Sequence, residues 1–323
     1  MRKQISNLTP YTDNYFINCI YIEYLSAIKA LGGDINGIIS NTTFHNLLIQ
    51  NGEEYALFVI DAPKIPLIQS MNECGIAFQR EYIKQEDFVS YIEEQIDHNR
   101  IPIIAADGMY YRHPFHDLFY MKAHHIQSFV VSAYDSDQRI FEIVDVNGFK
   151  FDTHDFCYSN QVSYEDLTTC HIKSYETEQR YYNDGITVLS RMNEDLPVYS
   201  KEDQKHRLIS TILADKKNIL EGLEKIKWIA DHIELYHEDA DDSFNNKIAR
   251  SSMVYQYDMI FGEEWSKYIE LWKKSYKEWD TVDLAIQKNK ILNQNIKQRF
   301  VDRFKKIYEI ESQIYESIFD TYQ

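Results

Sequence analysis

A cysteine, a pair of histidines and an aspartate in the first half of the chain could take part in one reaction. Cys19 lies in the first turn of a predicted helix, where unpaired backbone N–H groups and the helix dipole favour a thiolate. His124 and His125 precede one apolar run, and Asp145 ends the next. A thiol, an imidazole and a carboxylate can form a nucleophilic triad. On position alone Cys19 would be a buried small hydrophobe, but these partners make it the candidate nucleophile.

The strands that position the histidine and the aspartate are predicted from short apolar runs between turn residues. Residues 128–134 and 139–145 have equal length and are joined by a polar turn, which predicts a hairpin. Folding there brings Asp145 opposite the residues just before the first strand. A carboxylate in that place would hold the imidazole tautomer and stabilise its charged form. Strand parity favours His125 as the base, and His124 is the alternative.

The helix that carries Cys19 also supplies candidates for stabilising an oxyanion. Apolar residues recur at helical spacing between Ile17 and Leu31, and the glycine pair that follows predicts the end of the helix. A backbone N–H at the helix start and a side-chain amide would then bind the negative oxygen. Asn14 is the first candidate for that amide, and Asn18 is the second.

The loop before the histidine pair is rich in histidine, so a metal site has to be considered. His113, His116 and Asp117 lie within five residues of one another. Pro114 breaks any helix that would carry both histidines on one face, and the spacing matches no zinc-protease pattern. We expect no metal and no cofactor in the protein.

Composition limits the class of protein. The chain has 323 residues and a net charge of −17, which argues against nucleic acid as a partner. Its four cysteines form no CxxC pair, so a structural zinc site or a disulfide framework is not expected. No opening segment resembles a signal peptide and no stretch has the length of a membrane span, which predicts a cytoplasmic protein without membrane contact.

The character of the chain changes at about residue 200, where strand signals cease. We predict two domains, a catalytic domain over 1–195 and a helical domain over 196–323. An aromatic stripe between Trp265 and Trp279 is typical of a helix packed in a core. Asp280 is predicted to cap the last long helix. A homodimer formed through this Trp-rich domain is an open alternative.

The order of the candidate residues resembles a known family over about residues 10–150. The run from Ala105 to Tyr111, followed by His125 and then by Val-Asp145, is similar to the butirosin-type acyltransferase family, which has the papain-like fold of C39 peptidases. The family usually has Gly-Tyr-Asp where this chain has Ala133-Tyr-Asp, and a Gly-rich run where this chain has Ile20-Tyr-Ile-Glu. These departures leave the choice between the two histidines open.

The resemblance implies an α+β fold: a papain-like cysteine protease (C39-like) domain followed by an all-helical domain. It also implies transfer of an acyl or peptidyl chain from a carrier-protein thioester, through an acyl-cysteine, to an amine acceptor. The phosphopantetheine would belong to the carrier protein. Such enzymes serve antibiotic and nonribosomal-peptide pathways, and the amide-forming enzyme of the closthioamide pathway is the functional relative that the resemblance suggests.

Two other functions remain open at this stage. A cysteine peptidase or amidase would use the same triad on an amide bond, and a catalytically inactive module would only bind. An acidic carrier protein should be repelled by a chain of net charge −17. The basic stretch from Lys288 to Lys306 is the candidate surface for docking a carrier, or else a solvated helix face balanced by acids.

Overall fold

The computed structural model gives a mixed α+β chain that divides into two compact units. The first unit comprises residues 1–13, 18–35 and 68–198, and the second comprises 14–17, 36–67 and 199–323. The structure describes residues 1–11, 13, 19–111, 120–124, 126–146, 157–175, 185–237, 240–288 and 294–322.

The first unit is built on an antiparallel sheet of seven strands with helices on its two faces. The strands are β1 (Arg2–Gln4), β4 (Ile76–Glu81), β5 (Ile101–Asp107), β6 (Ile126–Asp135), β7 (Ile140–Val146), β8 (Cys157–Ser163) and β9 (Ile186–Arg191). Their order in the sheet is β4-β9-β5-β6-β7-β8, and β1 pairs with β6 outside this path. The helices are α1 (Cys19–Leu31), α3 (Leu67–Glu73), α4 (Phe88–Asp97) and α5 (Tyr164–Ser174).

Helix α1 is the most deeply buried helix segment of this unit, because every residue from Tyr21 to Ile28 is buried. It ends at a left-handed glycine: Gly32 has φ +78°, and the N–H of Gly33 donates to the carbonyl of Ile28 at 2.8 Å. Only a residue without a Cβ adopts that conformation at little cost. The predicted end of the Cys19 helix is therefore confirmed.

The two faces of the sheet are covered by different helices. Tyr24 of α1 packs edge-on against Phe78 of β4, with ring centroids 5.9 Å apart. On the opposite face, Phe141 of β7 contacts Phe88 of α4 and Tyr164 of α5, at 6.3 Å and 4.3 Å. Apolar side chains thus fill both layers, as a sheet buried on both faces requires.

The second unit combines a two-stranded hairpin with long helices. Its strands are β2 (Thr42–Asn51) and β3 (Glu54–Pro63). Its helices are α2 (Ile35–Ile39), α6 (Lys201–Ala214), α7 (Lys216–Asp231), α8 (Ala240–Phe261), α9 (Ser266–Lys288) and α10 (Gln294–Tyr322). The predicted boundary between residues 195 and 196 lies close to the division at 198, but residues 36–67, predicted as part of the first domain, cluster with the helices.

The core of the second unit contains a buried ion pair among aromatic rings. Arg250 donates to both carboxylate oxygens of Glu311, at 2.9 Å and 2.8 Å, and also to the amide oxygen of Asn46 at 2.7 Å. Its guanidinium lies 4.9 Å from the ring of Trp279. Buried charges are tolerated when every polar atom has such partners. The predicted aromatic stripe is core: Trp265, Trp272 and Trp279 are all buried.

One prediction for the helical region is wrong. Asp280 does not cap the last helix, because it lies inside α9, and the last helix begins at Gln294. The continuous apolar spacing through residue 286 extends α9 past the aspartate. Among the described residues, no helix combines the length and apolar character needed to cross a membrane.

Candidate functional site

The carboxylate of Asp107 stands at the end of a strand that is otherwise apolar. All seven residues of β5 are buried, and Asp107 itself is 0 % exposed. A buried carboxylate is costly unless it accepts hydrogen bonds. The N–H of Met109 donates to Asp107 Oδ1 at 3.0 Å, and the N–H of Tyr110 donates to the Asp107 carbonyl at 3.0 Å. The turn after β5 therefore fixes this side chain.

The second oxygen of the same carboxylate holds an imidazole. His124 Nδ1 lies 2.6 Å from Asp107 Oδ2, and the His124 side chain is 52 % exposed. Because an ionised carboxylate only accepts, Nδ1 carries the proton of this bond. The ring of Tyr110 lies beside the imidazole, with centroids 6.1 Å apart. The remaining nitrogen, Nε2, is the one that can take a proton from another group.

This pair lies on the face of the sheet that α1 covers. Phe78, which contacts α1 through Tyr24, pairs with Leu189, and Leu189 pairs with Ile101. Paired residues share a face, and so do alternate residues along a strand. Counting from Ile101 by twos reaches Asp107, so its carboxylate is on the α1 side.

The predicted nucleophile begins that helix. Cys19 is the first residue of α1, as the sequence predicted, but its side chain lies outside the described part of the structure. The oxyanion candidates Asn14 and Asn18 and the preferred base His125 also lie outside the described residues. Of the groups that could act with Cys19, the structure places the His124 imidazole and the Asp107 carboxylate on the face that α1 covers.

The predicted hairpin forms, with a register different from the one expected. Strand β7 contains Asp145, whose side chain is not described, and pairs with β6 across a bulge between Val131 and Ala133. The last pair toward Asp145 joins Val130 to Val144. Antiparallel counting puts the next β6 position at residue 129, rather than just before Ser128. The pairing of Asp145 with His125 stays a prediction.

Two of the other cysteines are unsuited to nucleophilic chemistry. Cys74 is fully buried and its Sγ lies 3.7 Å from the carbonyl of Asp34. Burial, reinforced by the charges of Asp166 and Asp107, raises the pKa of Cys170 to about 12, so this thiol stays protonated. Cys157 begins β8, and its side chain lies outside the described residues.

Sequence reasoning missed a second histidine, which is built into the core. His171 of α5 is 0 % exposed, its Nδ1 lies 2.7 Å from the carbonyl of Ala105, and its Nε2 lies 2.6 Å from Tyr175 Oη. Burial lowers its pKa to about 4, against the opposing effect of the Ala105 hydrogen bond. His171 is therefore neutral at pH 7, with Nδ1 as donor and Nε2 as acceptor. It ties α5 to the strand that ends at Asp107.

The basic stretch predicted as a docking surface is partly neutralised by its own unit. Lys297 Nζ lies 3.4 Å from Glu54 Oε1. Arg303 and Lys306 both pair with Glu278. Burial opposes ionisation of Glu278, but these two hydrogen bonds outweigh it and hold its pKa below the usual range. The exposed cations of the stretch that the structure describes are Lys288, Arg299, Lys305 and Lys306.

Among the described residues, no group of three or more His, Cys, Asp or Glu side chains could hold a metal ion. Comparison with known proteins adds no assignment: no protein-family model matches the chain, and no curated protein matches it. The chemistry of the α1 face is therefore the basis for proposing a function.

Proposed function

We propose that the protein is a cysteine-dependent acyltransferase with a papain-like catalytic unit. The observation that carries this proposal is the imidazole of His124, held through Nδ1 on the sheet face that α1 covers. Helix α1 begins at Cys19, so the helix start and the imidazole belong to the same face of one unit. Nucleophilic catalysis by cysteine uses a thiol at a helix start together with an oriented imidazole, and the proposal assigns these roles to Cys19 and His124.

The chemistry balances without a metal or a redox partner. The imidazole Nε2 takes the Cys19 thiol proton, and the thiolate attacks the carbonyl carbon of a thioester. The tetrahedral intermediate collapses with cleavage of the bond to the leaving thiolate, which takes the proton back from the imidazolium. An amine then attacks the acyl-cysteine and gives its proton to the imidazole, the bond between the acyl carbon and Cys19 Sγ breaks, and the imidazolium protonates the Cys19 thiolate. The net products are an amide and the free thiol of the donor, with Cys19 and the imidazole restored.

The substrate class comes from the family resemblance. The acyl donor is a chain carried as a phosphopantetheine thioester on a carrier protein, and the acceptor is an amine of a natural-product pathway in the cytoplasm. Since three cations of the basic stretch pair with acids of their own unit, few of its described cations are left to attract an acidic carrier. Docking through Lys288–Lys306 would have to use the remaining exposed cations.

Intact-protein mass spectrometry with short acyl thioesters tests the proposal. We expect one acyl adduct on the wild type and none on Cys19→Ala. The matched control Cys157→Ala, at a cysteine that begins β8, should carry an unchanged adduct. Cys74 and Cys170 are internal controls, because buried thiols should not acylate in the folded protein. An adduct that persists in Cys19→Ala would contradict the proposal.

The product separates the transferase from the alternatives. Amide formation on addition of an amine supports acyl transfer, while release of free acid alone indicates the peptidase or amidase alternative. Absence of any adduct, together with thioester binding that Cys19→Ala leaves unchanged, would identify a binding module.

A further inference from the structure

We infer that Asp107 positions the general base of this reaction, which makes His124, rather than His125, that base. The inference rests on the cysteine chemistry proposed above, and adds a residue that the sequence did not single out. Asp107 touches neither nucleophile nor substrate in this scheme. It acts through the imidazole, so it is a positioning residue.

The contact between the two side chains fixes the tautomer. Asp107 Oδ2 accepts from His124 Nδ1 at 2.6 Å, within the range of a short charge-assisted hydrogen bond. The proton on Nδ1 leaves the Nε2 lone pair available as a base. An imidazolium formed during the reaction would face a carboxylate, whose negative charge stabilises it.

The carboxylate is held more rigidly than the imidazole that it orients. Asp107 is fully buried, and its Oδ1 is occupied by the Met109 N–H at 3.0 Å, so the side chain has little freedom to turn away. His124 is half exposed, with its ring against Tyr110. A general base needs this arrangement, because the buried carboxylate holds the imidazole in place while the exposed side of the ring can reach a substrate.

The alternative carboxylate has a less favourable backbone position. The β6–β7 register ends with Val144 opposite Val130, which puts the level of Asp145 near residue 129. In the sequence, residue 129 is five positions from His124. Asp107, by contrast, pairs in the sheet with Ile126, only two residues from His124.

Single-turnover acylation of Cys19 tests the inference directly. We expect Asp107→Asn to slow acylation by about 100-fold to 10,000-fold, because the amide can hold the ring but supplies no charge and permits the wrong tautomer. Asp145→Asn, at the carboxylate of the alternative pair, separates the two assignments, because the inference requires it to acylate faster than Asp107→Asn. His124→Ala should lose acylation, and the Asp107→Glu variant should recover part of the rate.

The pH profile distinguishes positioning from a merely structural role. Loss of the carboxylate destabilises the imidazolium, so the midpoint of the acylation rate against pH should move to lower pH in Asp107→Asn. A general loss of folded protein would lower the rate equally at every pH. Hydrogen exchange in β5 peptides shows whether the variant is folded.

A second measurement does not depend on that variant folding. In wild-type protein labelled with ¹⁵N-histidine, the neutral form of the His124 ring should be the Nδ1–H tautomer, with assignment by His124→Ala. The Nε2–H tautomer would overturn the inference, as would a normal acylation rate and pH profile in folded Asp107→Asn. If Asp145→Asn were the slow variant and Cys19 still acylated, only the inference would fail. Loss of Cys19 dependence would instead overturn the proposed function.

Discussion

Acidification should loosen the strand end that carries Asp107, because His171 is buried in the neutral form. This imidazole bridges α5 and β5 through the Ala105 carbonyl, two residues before Asp107. Its pKa is lowered from 6.5 to about 4 in the folded protein, chiefly by burial. The unfolded chain therefore binds a proton more readily than the folded one between these values. The stability that depends on a neutral His171 is complete above about pH 6.5 and is lost as the pH falls toward 4.

The size of the effect follows from the pKa difference. Each unit of pKa difference corresponds to about 1.4 kcal/mol, so lowering the pH from 7.5 to 5.0 should cost about 2 kcal/mol of unfolding free energy. This is a large part of the stability of an ordinary domain, about 5–15 kcal/mol. It corresponds to roughly a 30-fold rise in the opening equilibrium of the first unit.

Hydrogen exchange measured by mass spectrometry is the assay, since fluorescence would report on the wrong unit. All four tryptophans, at 228, 265, 272 and 279, belong to the second unit. Peptides from β5 and α5 should lose protection by about 30-fold between pH 7.5 and 5.0, after correction for the intrinsic exchange rate.

His171→Gln is the matched variant, because an amide can donate to Ala105 and accept from Tyr175 without titrating. We expect it to be less stable than the wild type at pH 7.5, with about 2 kcal/mol less acid-induced loss. Equal acid-induced losses in the two proteins would refute the assignment of the effect to His171.

Two further changes test the packing of each unit. Gly32→Ala should lower the unfolding free energy by more than about 1 kcal/mol, because φ is +78° and a Cβ would come within 2.9 Å of a neighbouring guanidinium. Gly52→Ala, where φ is +64° and no neighbour lies within 4 Å, should lower the unfolding free energy by less; urea denaturation measures both. Glu311→Gln should lower the unfolding free energy of the second unit by about 3 kcal/mol, because Arg250 loses its buried counter-charge; urea denaturation followed by tryptophan fluorescence measures this. Glu270→Gln, at an exposed ion pair, should leave the unfolding free energy unchanged. A larger loss in Glu270→Gln than in Glu311→Gln would contradict the role of the buried ion pair.

Local sequence signals predicted the elements around the site. The β-branched runs gave β5, β6 and β7, and the spacing of apolar residues with the glycine pair gave α1. These elements are specified by residues close together in sequence, through side-chain periodicity and turn chemistry. Strands β8 and β9 and helix α5 were not predicted, because their place depends on pairing with distant strands.

Asp107 was missed for a related reason. The carboxylate was expected in the hairpin that follows the histidines, where turn length limits the register. Asp107 and His124 are instead joined through β5–β6 pairing across a loop of 18 residues, between Asp107 and Ile126. One signal was available: Asp107 is the first charged residue after a fully apolar strand, and Gly108 follows it. A charge at that place has to be hydrogen-bonded.

The order of the residues along the chain also has a mechanistic consequence. A carboxylate on β5 is fixed by the turn that follows the strand, since Met109 N–H donates to it. Changes in that turn would then reach the base through Asp107, whereas a carboxylate on β7 would be independent of them. Replacing Met109 by proline removes that N–H. Loss of acylation in this variant would show that the turn positions the base His124 through Asp107.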